Sequence, residues 1–151
     1  NWRSLPRPCY YKVAVENHKM IAENSGLLSV AALKKLNVSG KKVVSIISGG
    51  NMDVITMSSV VQHGLIQSGR VFSVSVLLPD KPGELLKVAK VIAHAKGNVI
   101  KLEHNQFVSI NRNAAVELKI TLEAFGIDHK NEIIAALKKA GYDPKSVQTS
   151  F

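Results

Sequence analysis

The feature that most constrains this chain is the order in which its hydrophobic period changes after residue 70. Phe72, Val74, Val76 and Leu78 alternate with Ser73, Ser75 and Leu77, the pattern of a strand with one wetter face. Pro79-Asp80-Lys81-Pro82-Gly83 breaks that run. Leu85, Val88, Ala89, Ile92 and Ala95 then recur at helical spacing, with Lys96 in the last turn and Gly97 expected at the C′ position. A second strand is expected to put Ile100 and Leu102 on the core face, and a turn near Asn111-Arg112-Asn113 leads to a third. In that third strand Val116, Leu118, Ile120 and Leu122 point one way and Glu117, Lys119, Thr121 and Glu123 the other. Asp128 is expected to cap a second helix, which turns Ile133, Ile134, Leu137 and Ala140 inward and stops at Gly141. Residues 142–148 offer a short fourth strand.

The sum is β-α-β-β-α-β over about 75 residues, the order of the ferredoxin-like split βαβ unit and of the α+β class. The first part of the chain reads differently. Residues 19–23 suggest a short strand, and Asn24-Ser25 offers an N-cap for a helix running to about Leu36. Residues 42–47 are β-branched and almost wholly apolar, as in a strand buried on both faces of a parallel sheet. Ser48-Gly49-Gly50-Asn51 ends that run, and a helix over roughly 54–67 follows, stopped by Ser68-Gly69. This is the grammar of a partial α/β segment, too short to close a doubly wound sheet. The boundary is therefore expected between 1–69 and 70–151. Pro6 and Pro8, with Arg3 and Arg7, make the start an irregular arm.

Composition excludes several classes. The 151 residues are 46% apolar and 21% charged, which is globular and not disordered. Cys9 alone supports neither a disulfide framework nor a multi-cysteine zinc site. His18, His63, His94, His104 and His129 lack metal-ligand spacing, so no metal is expected. The apolar runs are too short to span a bilayer, so no membrane partner is expected. The net charge of +9 comes from scattered Lys and Arg, and aromatics are only 5%. Nucleic acid is not expected as a partner, because little is available to stack on bases. The absence of an initiator methionine suggests a fragment of a longer protein.

On these residues a resemblance becomes specific. Leu78-Pro79-Asp80-Lys81-Pro82-Gly83-Glu84-Leu85, followed by Gly97-Asn98-Val99-Ile100, resembles the ACT domain, a ferredoxin-like module that typically binds amino acids to regulate metabolic enzymes. Upstream, Met20-Ile21-Ala22-Glu23-Asn24-Ser25-Gly26 and Val43-Val44-Ser45-Ile46-Ile47-Ser48-Gly49-Gly50-Asn51 resemble the last segments of the catalytic domain of threonine dehydratases. Those are fold-type II pyridoxal-phosphate lyases, many of which carry a C-terminal ACT domain. The joint resemblance covers about residues 13–145, and the arm over 1–11 stands outside it.

The resemblance implies a cytoplasmic parent enzyme that turns L-threonine into 2-oxobutanoate and ammonia with pyridoxal phosphate. The lysine that bonds the cofactor and the glycine-rich phosphate loop would lie upstream of this region. This chain alone is thus expected to hold no cofactor and to be inactive. By resemblance the Ser48 hydroxyl faces the pyridine nitrogen, Gly49 and Gly50 let backbone approach the ring, and Glu23 is a further candidate for the pocket. For the regulatory half, Asp80, Pro82, Gly83, Asn98 and Val99 are the expected effector-binding residues. Gly83 would open a helix whose amides suit a carboxylate, and Asn98 offers both a donor and an acceptor. In ACT domains these two loops face each other across a subunit interface, so a homo-oligomer is implied. Isoleucine, valine and a nucleotide are all open as effectors. The alternative is a free-standing amino-acid-sensing module with no lyase role.

Overall fold

Only part of the apolar patterning before residue 68 turns into regular structure. The computed structural model describes residues 14–23, 25–33, 35–105 and 115–149, and the chain divides into two compact units, Asn1–Gln67 and Ser68–Phe151. In the first unit, residues 14–18 are helical (α1), followed by α2 (Leu28–Leu33) and α3 (Val54–Gln67). Ala14, Ala22 and Leu27 form a small core, against which Val15, Met52, Met57, Val60 and Val61 pack. Asp53 caps α3: the Thr56 amide donates to Asp53 Oδ1 at 2.8 Å and the Thr56 hydroxyl to Oδ2 at 2.5 Å.

Three expectations for this unit are corrected. Helix α2 ends at Leu33, closed by tight turns in which Lys35 N–H and Leu36 N–H donate to Ala32 and Leu33 carbonyls. Residues 19–23 and 42–47 are not strands; Val44 is 90% and Ile46 77% exposed. Among the described residues this unit has no strand at all, so it lacks the expected α/β character. An apolar run specifies a buried parallel strand only when neighbouring strands are there to pair with it. The proposed cap residue Asn24, the arm over 1–11, Cys9 and the turn at Asn111–Asn113 lie outside the described residues.

The second unit is α+β: β1 (Val71–Pro79), α4 (Glu84–His94), β2 (Asn98–Asn105), β3 (Ala115–Glu123), α5 (Ile127–Lys139) and β4 (Lys145–Val147). The four strands form one sheet in the order β2-β3-β1-β4, every neighbour antiparallel. β1 and β3 pair residue for residue, from Val71 with Glu123 to Pro79 with Ala115. Phe72, Val74, Val76 and Leu78 meet Leu118, Ile120 and Leu122 in one core, closed by Val88 and Ile92 of α4 and Ile133 and Leu137 of α5. Every one of the four largest strand residues from β3's even positions is buried, as the alternation requires.

The other face of β1 is wet only toward its C-terminal end, where Leu77 is 57% exposed. Ser73 and Ser75 are buried, and each hydroxyl has a partner: Ser73 Oγ lies 2.9 Å from Thr121 Oγ1, and Ser75 donates to Glu117. Pairing lets these small hydroxyls go under without the cost of an unmade hydrogen bond. On α4 the buried stripe is Val88 and Ile92, flanked by Val91 and Ala95, while Leu85 is 45% exposed and Ala89 exposed.

On β2 a register irregularity falls between Val99 and Lys101, so Ile100 has no partner on β3. Val99, Leu102 and His104 therefore sit opposite Leu122, Ile120 and Leu118, and Ile100 is not the core-face residue. β2 is an edge strand, and none of its residues belongs to the core cluster.

Both helices end in the same hydrogen-bond pattern. After α4, Gly97 N–H donates to Ile92 O at 3.0 Å and Lys96 N–H to Ala93 O at 3.0 Å; after α5, Tyr142 N–H donates to Leu137 O and Gly141 N–H to Lys138 O. The left-handed residue after α4 is Lys96, at φ +57°, not Gly97. Gly97 sits in a tight space: a Cβ there would lie 3.0 Å from Ile92 Cγ2 and 3.1 Å from Ile133 Cδ1, so both side chains would have to give way. Asp128 is not the cap of α5 either. Gly126 precedes the helix, and Asp128 sits in its first turn, where a carboxylate favours the helix dipole.

Candidate functional site

The break between β1 and α4 roofs a cavity of about 350 Å³. Its floor is apolar: Leu78 from the end of β1, with Val116 and Leu118 from β3, all buried. Leu85, in the first turn of α4, closes one side. The 79–83 segment is held by Lys81 N–H donating to Pro79 O at 2.8 Å and Glu84 N–H donating to Lys81 O at 3.4 Å. Gly83 then enters the helix in the left-handed region at φ +89°, a conformation that glycine adopts without a Cβ penalty. A Cβ at Gly83 would meet nothing within 4 Å, so the position is fixed by backbone angle and not by crowding.

The rim is polar. Asp80, Lys81, Glu84 and His104 line it. Glu84 is engaged: Lys87 Nζ donates to its Oε1 at 2.7 Å, and that bond pushes the Lys87 ammonium pKa up. Asp80, Lys81 and His104 have no side-chain hydrogen bond or ion pair among the described residues. His104 was not singled out from the sequence. The signal was nevertheless there, because period-two counting from Leu102 puts His104 on the same face.

Asn98 and Val99 are elsewhere. Asn98 is the first residue of β2 and pairs with Glu123, whereas Pro79 pairs with Ala115. The 80–83 loop and the Asn98 turn therefore lie at opposite ends of the sheet, about 26 Å apart along β3 at the usual rise per residue. Asn98 Nδ2 donates to Glu123 Oε2 at 3.3 Å, and Arg70 lies 3.8 Å from the other oxygen of Glu123. Within one chain, Asp80, Pro82 and Gly83 come together; Asn98 and Val99 do not join them.

Ser48, Gly49 and Gly50 belong to the first unit and are exposed. Their segment is pinned from one side. Glu23 N–H donates to Gly49 O at 3.0 Å, the Ser29 hydroxyl donates to Ile46 O at 2.8 Å, and Gly26 packs so close to the Ser48 carbonyl that a Cβ could not fit. A Cβ on Gly49 would collide with the Glu23 carboxylate. The open side of Gly49 is thus occupied by an acidic side chain and not shaped for an aromatic ring. These residues alone do not make a cradle for pyridoxal phosphate. Among the described residues no group of three or more His, Cys, Asp or Glu could hold a metal, and no helix is long and apolar enough to cross a membrane.

No family model matches the sequence. Curated proteins do. L-threonine ammonia-lyase of Thermotoga maritima is 34% identical over 134 residues, covering 88% of this chain and 33% of that protein. The protein of the same name in Geobacter sulfurreducens is 37% identical over 130 residues, covering 85% of this chain and 32% of that protein. L-threonine dehydratase biosynthetic IlvA of Pasteurella multocida is 30% identical over 132 residues, covering 85% and 25% respectively. The chain therefore spans a third or less of the length of these relatives. A solved structure described as an unknown protein from Galdieria sulphuraria covers 84% of this chain and 94% of its own at 17% identity, with a TM-score of 0.39, too low to define a shared fold. Over 85–88% of its length the chain is thus similar to L-threonine ammonia-lyases and threonine dehydratases, matching a third or less of the length of each.

Proposed function

We propose that the chain is the C-terminal part of a pyridoxal-phosphate-dependent threonine ammonia-lyase, and that residues 70–151 form a ferredoxin-like ACT domain binding an amino-acid effector. The names of its relatives support the parent activity, conversion of L-threonine to 2-oxobutanoate and ammonia. When bound in the intact enzyme, pyridoxal phosphate supplies the electron sink for elimination. The residues that bond it lie outside this chain in that reading, and the exposed 48–50 segment, with the Glu23 carboxylate on the open side of Gly49, does not by itself form its cradle. The chain alone then produces no 2-oxobutanoate from threonine with added pyridoxal phosphate; measurable turnover would overturn this.

One observation carries the regulatory half. The 80–83 loop and the Asn98 turn sit at opposite ends of a sheet whose outer strand β2 has, among the described residues, no strand paired on its far side. Antiparallel pairing of β2 with β2 of a second copy reverses the two ends and brings each loop to the other copy's Asn98 turn. The strand suits such pairing. Centred on Leu102, it would set Lys101 of one copy opposite Glu103 of the other, and the reverse.

Thermal melting of the chain with isoleucine, valine, threonine, serine and adenine nucleotides tests the reading. A branched-chain amino acid at about 100 times its dissociation constant stabilises the fold by roughly 2.7 kcal/mol, a shift of several degrees. If no amino acid moves the transition at millimolar concentration, the sensor reading falls.

A further inference from the structure

We infer that His104 is a specificity-determining residue of the effector site, reading the ligand's carboxylate while the floor of the same cavity reads a small aliphatic side chain. This rests on the reading of the 80–83 loop as an effector site and goes beyond it. It moves ligand selection from the loop backbone and Asn98 to the open cavity beneath that loop, within one protomer.

The cavity presents three chemistries in one place. Leu78, Val116 and Leu118 form a buried apolar floor, and Leu85 beside them, 45% exposed, offers the apolar surface that a hydrocarbon side chain would cover. Asp80 offers a carboxylate to an α-ammonium group, and Lys81 and His104 offer donors to an α-carboxylate. None of these three has a side-chain partner among the described residues, while their neighbour Glu84 is already tied to Lys87. His104 is held on the helix side of the sheet by its register opposite Leu118. A strand residue so placed is a better-defined donor than Lys81, which sits on the loop and carries a flexible stem. At about 350 Å³ the space is at the small end of ligand sites, which favours a single aliphatic amino acid over a nucleotide.

The test uses the full 151-residue chain, titrated calorimetrically with isoleucine and with 2-methylbutylamine, the same molecule without its carboxylate. His104→Leu keeps the bulk and removes the donor; His104→Gln keeps a donor. Isoleucine affinity should fall about tenfold or more in His104→Leu and recover in His104→Gln, the loss expected for a hydrogen bond to a charged group. The amine should bind the wild type weakly and His104→Leu equally well, which a merely structural role for His104 would not give. If isoleucine binds the wild type and His104→Leu alike, the role of His104 is overturned while the effector reading stands. If isoleucine, valine and threonine all fail to bind the wild type, the effector reading falls and takes this inference with it.

Discussion

His129 Nε2 lies 2.7 Å from the Ala95 carbonyl, joining the first turn of α5 to the last turn of α4. The other ring nitrogen, Nδ1, accepts the Phe125 N–H at 3.0 Å, so the proton resides on Nε2 and is donated to Ala95. Phe125 stacks on the same ring, with centroids 4.9 Å apart. One neutral imidazole thus satisfies a helix-end carbonyl and a turn amide, both of which secondary structure leaves without partners.

Replacing His129 by Leu removes both bonds while keeping most of the bulk. The loss should be about 1–3 kcal/mol, two net hydrogen bonds of ordinary strength. Phe125→Ala keeps the bonds and removes only the stack, so it should cost less. Melting curves of the two variants check this, and equal losses would show that ring packing and not the bridge matters.

Opposite signs are expected at two adjacent positions. Lys96 is held at φ +57°, so Lys96→Gly should raise stability by about 0.5–1 kcal/mol after the entropy of the added glycine is counted. Gly97→Ala pushes a Cβ to within 3.0–3.1 Å of Ile92 and Ile133 and should cost about 1–3 kcal/mol. Urea titration of both variants distinguishes them. If Gly97→Ala proved neutral, Ile92 and Ile133 would have room to shift.

That pair also shows where the sequence was legible. Gly-rich ends announce that a helix stops, yet which residue takes the left-handed angle is settled by packing: Ile133 closes on residue 97 and leaves the turn to residue 96. Likewise the alternation of β3 was readable because both of its neighbours are strands of the same unit. The apolar run over 42–47 was read by the same rule and failed, for want of strands beside it. At the candidate site the loop over 80–83 was legible as turn chemistry. The cavity beneath it was not, since Leu78, His104 and Val116 come from three strands whose register the sequence does not state. The distance between Gly83 and Asn98 was hidden for the same reason.

The cap of α3 makes this region sensitive to acid. The Thr56 hydroxyl, and after it the Thr56 amide, hold the Asp53 carboxyl below the usual carboxylate range. A depressed folded pKa contributes stability above the unfolded value, about 3.9, and loses it as pH falls through the folded one. Asp53→Asn keeps an acceptor for the amide but cannot accept the hydroxyl proton through its NH2 group. Wild type should therefore be the more helical at pH 6, and its advantage should shrink as pH falls below about 4 and its own carboxyl begins to protonate. Circular dichroism of both proteins across that range is the check. A gap that stays constant would mean that the Asp53 charge has no part in the cap.

Self-association through β2 can be tested by its own charges. Lys101 and Glu103 lie on the face of the sheet away from the helices, 3.0 Å apart, and Lys119 approaches Glu103 at 3.6 Å. Lys101 hydrogen-bonds the Glu103 carboxyl and holds it below its ordinary range. Both side chains are half-exposed, so within one chain this pair contributes little to stability. Between two copies paired antiparallel about Leu102, the same residues would alternate in sign along the seam, and the backbone groups of both edges would find partners. Lys101→Glu alone then places like charges opposite one another and should shift the chain toward monomer. Lys101→Glu combined with Glu103→Lys restores opposite signs at every step and should restore association. Sedimentation equilibrium at high micromolar concentration, with circular dichroism to confirm that each variant folds, reads the outcome. A wild type that stays strictly monomeric, or a double variant that associates no better than Lys101→Glu, would remove β2 as the interface. The Asn98 turn would then have no route to the 80–83 loop.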